Sequence, residues 1–173
     1  MAATVRASYY GASASEPAGA TAETGITFNR EDTQTGTTPI PIPNATGTNY
    51  SWLKNLALQV TTAAATAITN RKIALASNPS TGLTVHFKAA ATYAQAATGN
   101  KPTDNATTND AVPSGYTQMT TTAQVFDAAS VSGNSTGRNG GFAQVLLGAS
   151  NAFTGGANSA TALPNMLMSY DEA

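Results

Sequence analysis

Few side chains of this chain could carry out chemistry. His86 is the only histidine among 173 residues, and cysteine is absent, which excludes a thiolate nucleophile, a disulfide and a cysteine metal site. A Ser-His-Asp triad cannot be inferred from one histidine and many serines. Because His86 alternates with Val85 and Phe87, we expect it on the solvated face of a strand.

Some of the acidic residues form two adjacent pairs, at 31–32 and 171–172. Adjacent strand residues point to opposite faces, so neither pair is suited to share a proton as a catalytic dyad does. The first pair follows Arg30, and we expect a local salt bridge there. The second pair is expected to form a solvated C-terminus.

Two polar segments have some features of binding loops. Asp104 and Asp110 could contribute oxygen ligands to calcium, but they lack the spacing of an EF-hand. Residues 137–141 read Gly-Arg-Asn-Gly-Gly, and without the lysine and Ser/Thr of a phosphate loop they predict a turn. The residues therefore predict no catalytic, metal or cofactor site, and we expect a protein that is not an enzyme.

The composition excludes further classes of function. Charged residues make up 10 % of the chain, and the formal net charge is -1. No basic cluster is present to neutralise phosphates, which argues against direct binding of nucleic acid. No apolar run approaches the roughly 20 residues of a membrane span. The N-terminus has no apolar region typical of a signal peptide.

The elements that would position any site are strands. Between Tyr50 and Phe87, apolar and polar residues alternate with period 2 in three runs, of which the middle one around Ile73 and Leu75 is weaker, and this predicts three strands with one buried face. Irregularly spaced strands and many turns indicate a mainly β fold, an antiparallel β-sandwich or jelly-roll-like domain with an extended N-terminal arm. The predicted core anchors are Trp52, Leu56, Leu58, Val85, Phe87 and Phe142, with Phe126 as a further central aromatic residue.

The remaining elements have weaker patterns. Further strands are predicted at 4–10, 26–28, 120–126, 142–147 and 166–170. Residues 78–82, Asn-Pro-Ser-Thr-Gly, predict a turn between two strands. The alanine-rich run 89–97 is the best helix candidate, and residues 61–67 favour a connection over a helical turn. The polar segment 98–115 predicts a long loop.

The chain is expected to divide at residue 48, with an arm and proline-rich segment at 1–48 and the β-domain at 49–173. The alternating prolines fix an extended backbone and remove hydrogen-bond donors, which disfavours the centre of a sheet. The candidates for contact with a partner are Tyr9, Tyr10, Pro39, Ile40, Pro41, Ile42 and Pro43.

Between roughly residues 26 and 93 the chain resembles small virion structural proteins of tailed bacteriophages. The segments that carry this resemblance are 28–33, 36–41, 46–54, 68–71 and 81–83. The resemblance implies a capsid decoration (cement) protein that bridges neighbouring capsid subunits, or a head-tail connector or tail component. The implied partners are the major capsid protein or other virion subunits and further copies of the chain. The implied location is the virion, after synthesis in the host cytoplasm.

A carbohydrate- or receptor-binding β-module is the alternative. In that case Trp52, Tyr93 or Tyr116 would be exposed and would stack on a sugar, whereas the strand pattern of Trp52 favours packing in the core.

Overall fold

The computed structural model of this chain is a mainly β protein with two antiparallel sheets, and this confirms the fold class predicted from the sequence. It describes residues 3–11, 15–17, 21–22, 26–32, 38–43, 46–63, 66–96, 112, 114–154 and 165–173, which include strands but no helix. The strands are β1 (Thr4–Tyr10), β2 (Thr21–Ala22), β3 (Thr48–Tyr50), β4 (Lys54–Thr62), β5 (Ala67–Leu75), β6 (Leu83–Ala90), β7 (Thr117–Gln118), β8 (Gln124–Asp127), β9 (Val131–Ser132), β10 (Gly137–Ser150) and β11 (Met166–Glu172).

The larger sheet has the strand order β2-β1-β4-β10-β6-β7, and β3 also pairs with β10. The smaller sheet has the order β11-β5-β8, and β9 also pairs with β5. The chain passes from the larger sheet to the smaller one and back at β4, β5 and β6. The predicted turn at 78–82 makes the second of these connections, where Gly82 adopts a φ of 84° that favours glycine.

The main core contains side chains from both sheets. Leu56, Ile73, Val85 and Phe87 are buried in it, because alternate residues of a strand lie on one face. The whole main cluster consists of Tyr9, Ile40, Leu56, Ile73, Leu75, Leu83, Val85, Phe87, Met119, Phe126, Ala143, Val145, Leu147 and Ala149. Leu58 lies in a second buried cluster together with Val60 and Ile68.

Strand β10 is covered on both faces, and residues 141–149 are all buried. Phe142 lies in a third cluster with Tyr10 and Ala57, and Tyr93 packs against it edge-on with ring centroids 6.2 Å apart. Trp52, in contrast, is only partly buried and belongs to none of the three core clusters. Its expected place as a core anchor is therefore wrong, because it precedes β4 and follows β3 without belonging to either strand.

The predicted helix at 89–97 is wrong. Strand β6 continues through Ala89 and Ala90, which pair with Ala143 and Phe142 of β10. In the residues that follow, the carbonyl of Ala94 accepts a hydrogen bond of 2.9 Å from the Asn55 side chain. Strand pairing and tertiary contacts therefore outweigh the helical propensity of these alanines.

Other predicted boundaries also shift. Residues 26–28 are not a strand, and the strand predicted at 120–126 begins only at Gln124. The turn expected at 137–141 is the beginning of β10. The predicted last strand is present as β11, on an edge of the smaller sheet.

Part of the predicted N-terminal arm lies within the larger sheet. Strand β1 pairs with β4, with Tyr9 opposite Leu56 and Tyr10 opposite Asn55. Both tyrosines are buried, so their assignment as partner contacts is wrong: their hydrophobic surface packs within their own fold.

The proline-rich segment also packs against the domain. Ile40 is buried in the main core and Ile42 packs against it. The segment is held because Asn49 Nδ2 donates a hydrogen bond of 2.9 Å to the Pro41 carbonyl. Pro43 is buried, Pro41 is partly buried and Pro39 is exposed. Of the five proposed partner contacts in this segment, only Pro39 is therefore fully accessible.

Candidate functional site

His86 is half-buried rather than fully solvated. Its ring lies edge-on against Tyr50, with ring centroids 5.6 Å apart, and its Nδ1 is buried without a hydrogen-bond partner. Burial lowers the pKa of His86. Among the described residues, no group of three His, Cys, Asp or Glu side chains could hold a metal ion. The geometry therefore gives His86 a packing contact with Tyr50.

The acidic residues at 31–32 lie beside a buried lysine. Lys54, the first residue of β4, has no exposed surface. Its Nζ donates hydrogen bonds of 2.7 Å to Asn29 Oδ1 and 2.6 Å to the Glu31 carbonyl. Burial lowers the pKa of Lys54 to about 8, although the negative charges of Asp32 and Glu31 act in the opposite direction. The amine is therefore partly deprotonated near neutral pH.

Asp32 is fixed by contacts of its backbone and of its side chain, and its charge acts on Lys54. Its carbonyl accepts a hydrogen bond of 2.7 Å from the Tyr9 hydroxyl, and its Oδ1 accepts one of 3.3 Å from the Ala96 backbone. Its Oδ2 is buried and has no hydrogen-bond partner. The side chain of Glu31 instead accepts hydrogen bonds from Thr38 at the surface. Asn29 and Lys54 thus form a buried polar pair on which the partly buried Asp32 acts electrostatically, and we call these three residues the lysine cluster.

A second buried cation lies in the smaller sheet. Arg71 of β5 has no exposed surface, and its Nη2 lies 3.0 Å from Asp127 Oδ2. Its guanidinium also donates to Asn139 Oδ1 at 2.9 Å and to the carbonyls of Ile68 and Ala129. We call this group the arginine cluster. The paired charge and the several acceptors meet most of the requirements for burying a cation, although the Arg71 Nε is buried without a hydrogen-bond partner.

Contacts within the arginine cluster also shift the pKa of Asp127. Burial raises its pKa, but hydrogen bonds from the Gly141 and Ala129 backbones and the Arg71 guanidinium outweigh burial and leave the pKa lowered. Gly140, with a φ of 78°, has no room for a side chain, because an added Cβ would collide with Arg71 and Asp127. An irregularity in the pairing of β10 with β4 lies at this position. The close approach of the Arg71–Asp127 ion pair therefore requires glycine at position 140.

A cleft of about 370 Å³ opens beside the arginine cluster. It is lined by Ala89, Ala90, Ala91, Phe126, Asp127, Ala129, Val131, Gly140 and Gly141. Both oxygens of Asp127 already accept hydrogen bonds, from Ala129 and from Gly141 and Arg71. The carboxylate therefore has a structural role at this cleft.

The outer face of the smaller sheet carries two exposed apolar side chains. Leu167 and Val125 are 53 % and 47 % exposed. Leu167 lies opposite the buried Ala74 and Val125 lies opposite Lys72, which is two residues from Ala74 on the same face of β5. We call the surface formed by Leu167, Val125 and Lys72 the outer apolar face. Lys72 pairs there with Asp171 at 2.7 Å.

The proposed sugar-stacking residues are only partly accessible. Trp52, Tyr93 and Tyr116 are all intermediate in exposure. The Tyr116 hydroxyl is buried without a hydrogen-bond partner, and burial raises its pKa. Asp104 and Asp110, suggested above as calcium ligands, lie outside the described residues, as does most of the loop predicted at 98–115.

The search for relatives found no match to this chain among protein families, curated proteins or solved structures. Within the part of the chain that is described, no helix is long and apolar enough to cross a membrane.

Sequence reasoning missed both buried cations, although the sequence contains a signal for each. Lys54 has the parity of Leu56 and Leu58 in β4, and Arg71 has the parity of Ile73 in β5. A charged residue in phase with the apolar face of its strand is expected to be buried. Such a residue needs polar partners from elsewhere in the chain, and these could not be identified from spacing alone.

Proposed function

We propose that the protein is a structural component of a virion, acting as a capsid decoration (cement) protein that bridges neighbouring subunits. The sequence resemblance to small virion proteins suggests this class. The observation that supports a binding role most directly is the outer apolar face, where Leu167 and Val125 are both about half exposed. Exposed apolar side chains that cluster on one face are typical of protein interaction sites.

The edge of the smaller sheet supports the same proposal. Strand β11 has seven residues and pairs with β5 on one side, and no other described strand pairs with its outer side. By contrast, the larger sheet ends in the two-residue strands β2 and β7. A long edge strand offers backbone donors and acceptors to a neighbouring chain, and the adjacent apolar side chains supply specificity.

The low charge suits a protein present in many copies. With 10 % charged residues and a net charge of -1, neighbouring copies repel one another weakly. Binding at many equivalent lattice positions would give high avidity from a modest single interface. Self-association into a closed oligomer is part of this proposal.

Co-sedimentation with shells of the encoding virus tests the proposal. The shells are prepared without the protein, and we expect the wild type to bind at a saturating stoichiometry that matches the lattice. Leu167→Asp and Val125→Asp should weaken binding at least about tenfold, since each buries a charge at the interface. Thr61→Asp, at an exposed position of β4, is the matched control and should bind as the wild type does.

Light scattering on the same variants measures self-association. Both apolar positions are exposed, so their substitution should change the free energy of unfolding by no more than about 0.5 kcal/mol. A folded wild-type protein that does not bind shells would contradict the decoration role. Equal binding by all variants would remove the outer apolar face from the proposal.

A further inference from the structure

The lysine cluster brings a nucleophile and an amide together away from water. Lys54 is fully buried and Asn29 is 3 % exposed. Lys54 Nζ donates a hydrogen bond of 2.7 Å to Asn29 Oδ1, which places the amine in contact with the amide whose carbon Cγ it would attack. Groups that a protein holds in contact and in a suitable orientation can react at rates far above those of free groups in solution.

We propose that Lys54 and Asn29 join to form an intramolecular isopeptide bond. This inference is independent of the proposed virion function, because it concerns a reaction within one chain.

The reaction balances without an oxidant, a reductant or a second substrate. The lone pair of Lys54 Nζ attacks Asn29 Cγ, and a bond between Nζ and Cγ forms. The bond between Cγ and Nδ2 breaks, and Nδ2 leaves as ammonia after gaining a proton. The neutral amine brings two protons: one remains on the new amide nitrogen and the other leaves in the ammonia.

The surroundings favour the nucleophilic form of the amine. A protonated amine has no lone pair to donate, and burial is one of the ways in which proteins activate lysine as a nucleophile. Burial lowers the pKa of Lys54 to about 8, so part of the population is neutral near neutral pH. The Glu31 carbonyl, 2.6 Å from Nζ, fixes the position of the amine beside the amide.

The amide is polarised by a backbone donor. The Glu31 N–H donates a hydrogen bond to Asn29 Oδ1 at 3.3 Å. The same donor would stabilise the negative charge that develops on this oxygen when Nζ attacks Cγ.

Asp32 is the group that we assign to move the proton. Its Oδ2 is buried without a hydrogen-bond partner, and its charge acts on Lys54. The proposed transfer of a proton from Nζ to Nδ2 is the work of a general acid–base group, and it requires this carboxylate to come within hydrogen-bond reach of both nitrogens. The Glu31 carboxylate, which bonds to Thr38 at the surface, is assigned no part in the transfer.

A comparison with the Lys72–Asp171 pair shows why the reaction is assigned to Lys54 and not to Lys72. Lys72 also lies beside a carbonyl-type oxygen, at 2.7 Å from Asp171 Oδ1, but both side chains are partly exposed. Its partner is a carboxylate whose pKa is lowered by the hydrogen bonds from Lys72 and Asn70. An ionised carboxylate in contact with water is a poor electrophile, so Lys72 serves as the matched control.

Intact-mass measurement of the full-length, denatured wild-type protein tests the proposal. We expect the mass to be lower than the sequence mass by one ammonia in more than half of the molecules. Fragmentation of a digest should find a branched peptide in which residue 29 is linked to residue 54. Ammonia loss located at Asn139–Gly140 would be backbone cyclisation of an Asn-Gly sequence and would overturn the assignment.

Variants separate the roles of the residues. Lys54→Arg and Asn29→Ser should retain the full mass, and Asp32→Ala should reduce the linked fraction at least tenfold. Lys72→Arg should lose ammonia as the wild type does. Circular dichroism verifies the fold of each variant. The wild-type protein gives the decisive result, because it does not depend on whether a variant folds. A folded wild-type protein that keeps its full mass after prolonged incubation at pH 8 overturns the proposal.

Discussion

Lys54 and Arg71 are both fully buried cations, yet the fold surrounds them differently. Arg71, in the smaller sheet, has a carboxylate partner at 3.0 Å and further bonds to an amide and to backbone carbonyls. Lys54, in the larger sheet, donates to an amide oxygen and a backbone carbonyl. The arginine cluster keeps a charge in the interior, whereas burial in the lysine cluster lowers the pKa of the amine and makes its charge easier to lose.

The difference follows from the two side chains. A guanidinium does not lose its proton under protein conditions, so its burial requires a counter-charge and several acceptors. An ammonium can lose its proton, and burial alone shifts that equilibrium. The arginine position is therefore suited to structural stability. The lysine position is suited to a reaction.

Replacing the permanent cation should have the largest effect. Arg71→Met leaves Asp127 and Asn139 without their main partner, and we expect a loss of about 3–5 kcal/mol in the free energy of unfolding. Urea unfolding measures this loss. Lys72→Met is the matched control, since its partly exposed pair with Asp171 should contribute no more than about 1 kcal/mol. Equal losses in the two variants would contradict the structural role of the arginine cluster.

The lowered pKa of Lys54 should affect stability at alkaline pH in a variant that cannot form the isopeptide bond. In Asn29→Ser, which cannot form the isopeptide bond, folded Lys54 loses its proton at about 8 while the unfolded chain keeps its proton up to 10.5. Between these values the unfolded state binds more protons, so the free energy of unfolding rises with pH, by up to ~3 kcal/mol. Urea unfolding across this range measures the rise.

The double variant Asn29→Ser with Lys54→Met is the control for that rise. It should lack this contribution, because methionine does not titrate. Parallel pH curves for the single and double variants would show that Lys54 keeps an ordinary pKa in the folded protein.

The glycine beside the ion pair provides a steric test. Gly140→Ala places a Cβ against Arg71 and Asp127, and we expect a loss of about 1–3 kcal/mol from overpacking in addition to backbone strain. Gly137 also has a positive φ, but an added Cβ meets nothing within 4 Å. Gly137→Ala therefore reports the strain alone. Thermal unfolding compares the two variants. Equal shifts of their melting temperatures would mean that the Arg71–Asp127 ion pair tolerates the added methyl group.

The last expected effect concerns how stability depends on pH in the acid range. The lowered pKa of Asp127 means that its contribution is present above the unfolded value of about 3.9 and is lost as the pH falls through the folded value. Asp127→Asn should flatten this part of the stability curve. High salt should preserve the difference better than it does for Asp171→Asn, because exposed charges are screened more strongly.

Strand periodicity predicted much of the fold and little of its polar interior. The alternation around Leu56 and Leu58 located β4, and Met166, Met168 and Tyr170 located β11. Local propensity failed at Ala89–Ala90, where pairing with β10 determines the structure. These errors have a common cause: a strand's partners come from distant parts of the chain.

The same limit applies to the candidate site. The pairing of Lys54 with Asn29 spans 25 positions, and that of Arg71 with Asn139 spans 68. Sequence could flag each cation as out of place on an apolar face. Only the fold shows which oxygens surround it.

Nuclear magnetic resonance of the isotope-labelled wild-type protein tests the contrast between the two clusters most directly. We expect the paired NH₂ signals of Asn29 to be replaced by one amide proton coupled to the Lys54 side chain, while the Arg71 guanidinium keeps all its protons. A folded protein in which Asn29 retains both NH₂ signals and Lys54 titrates as a free amine would contradict it.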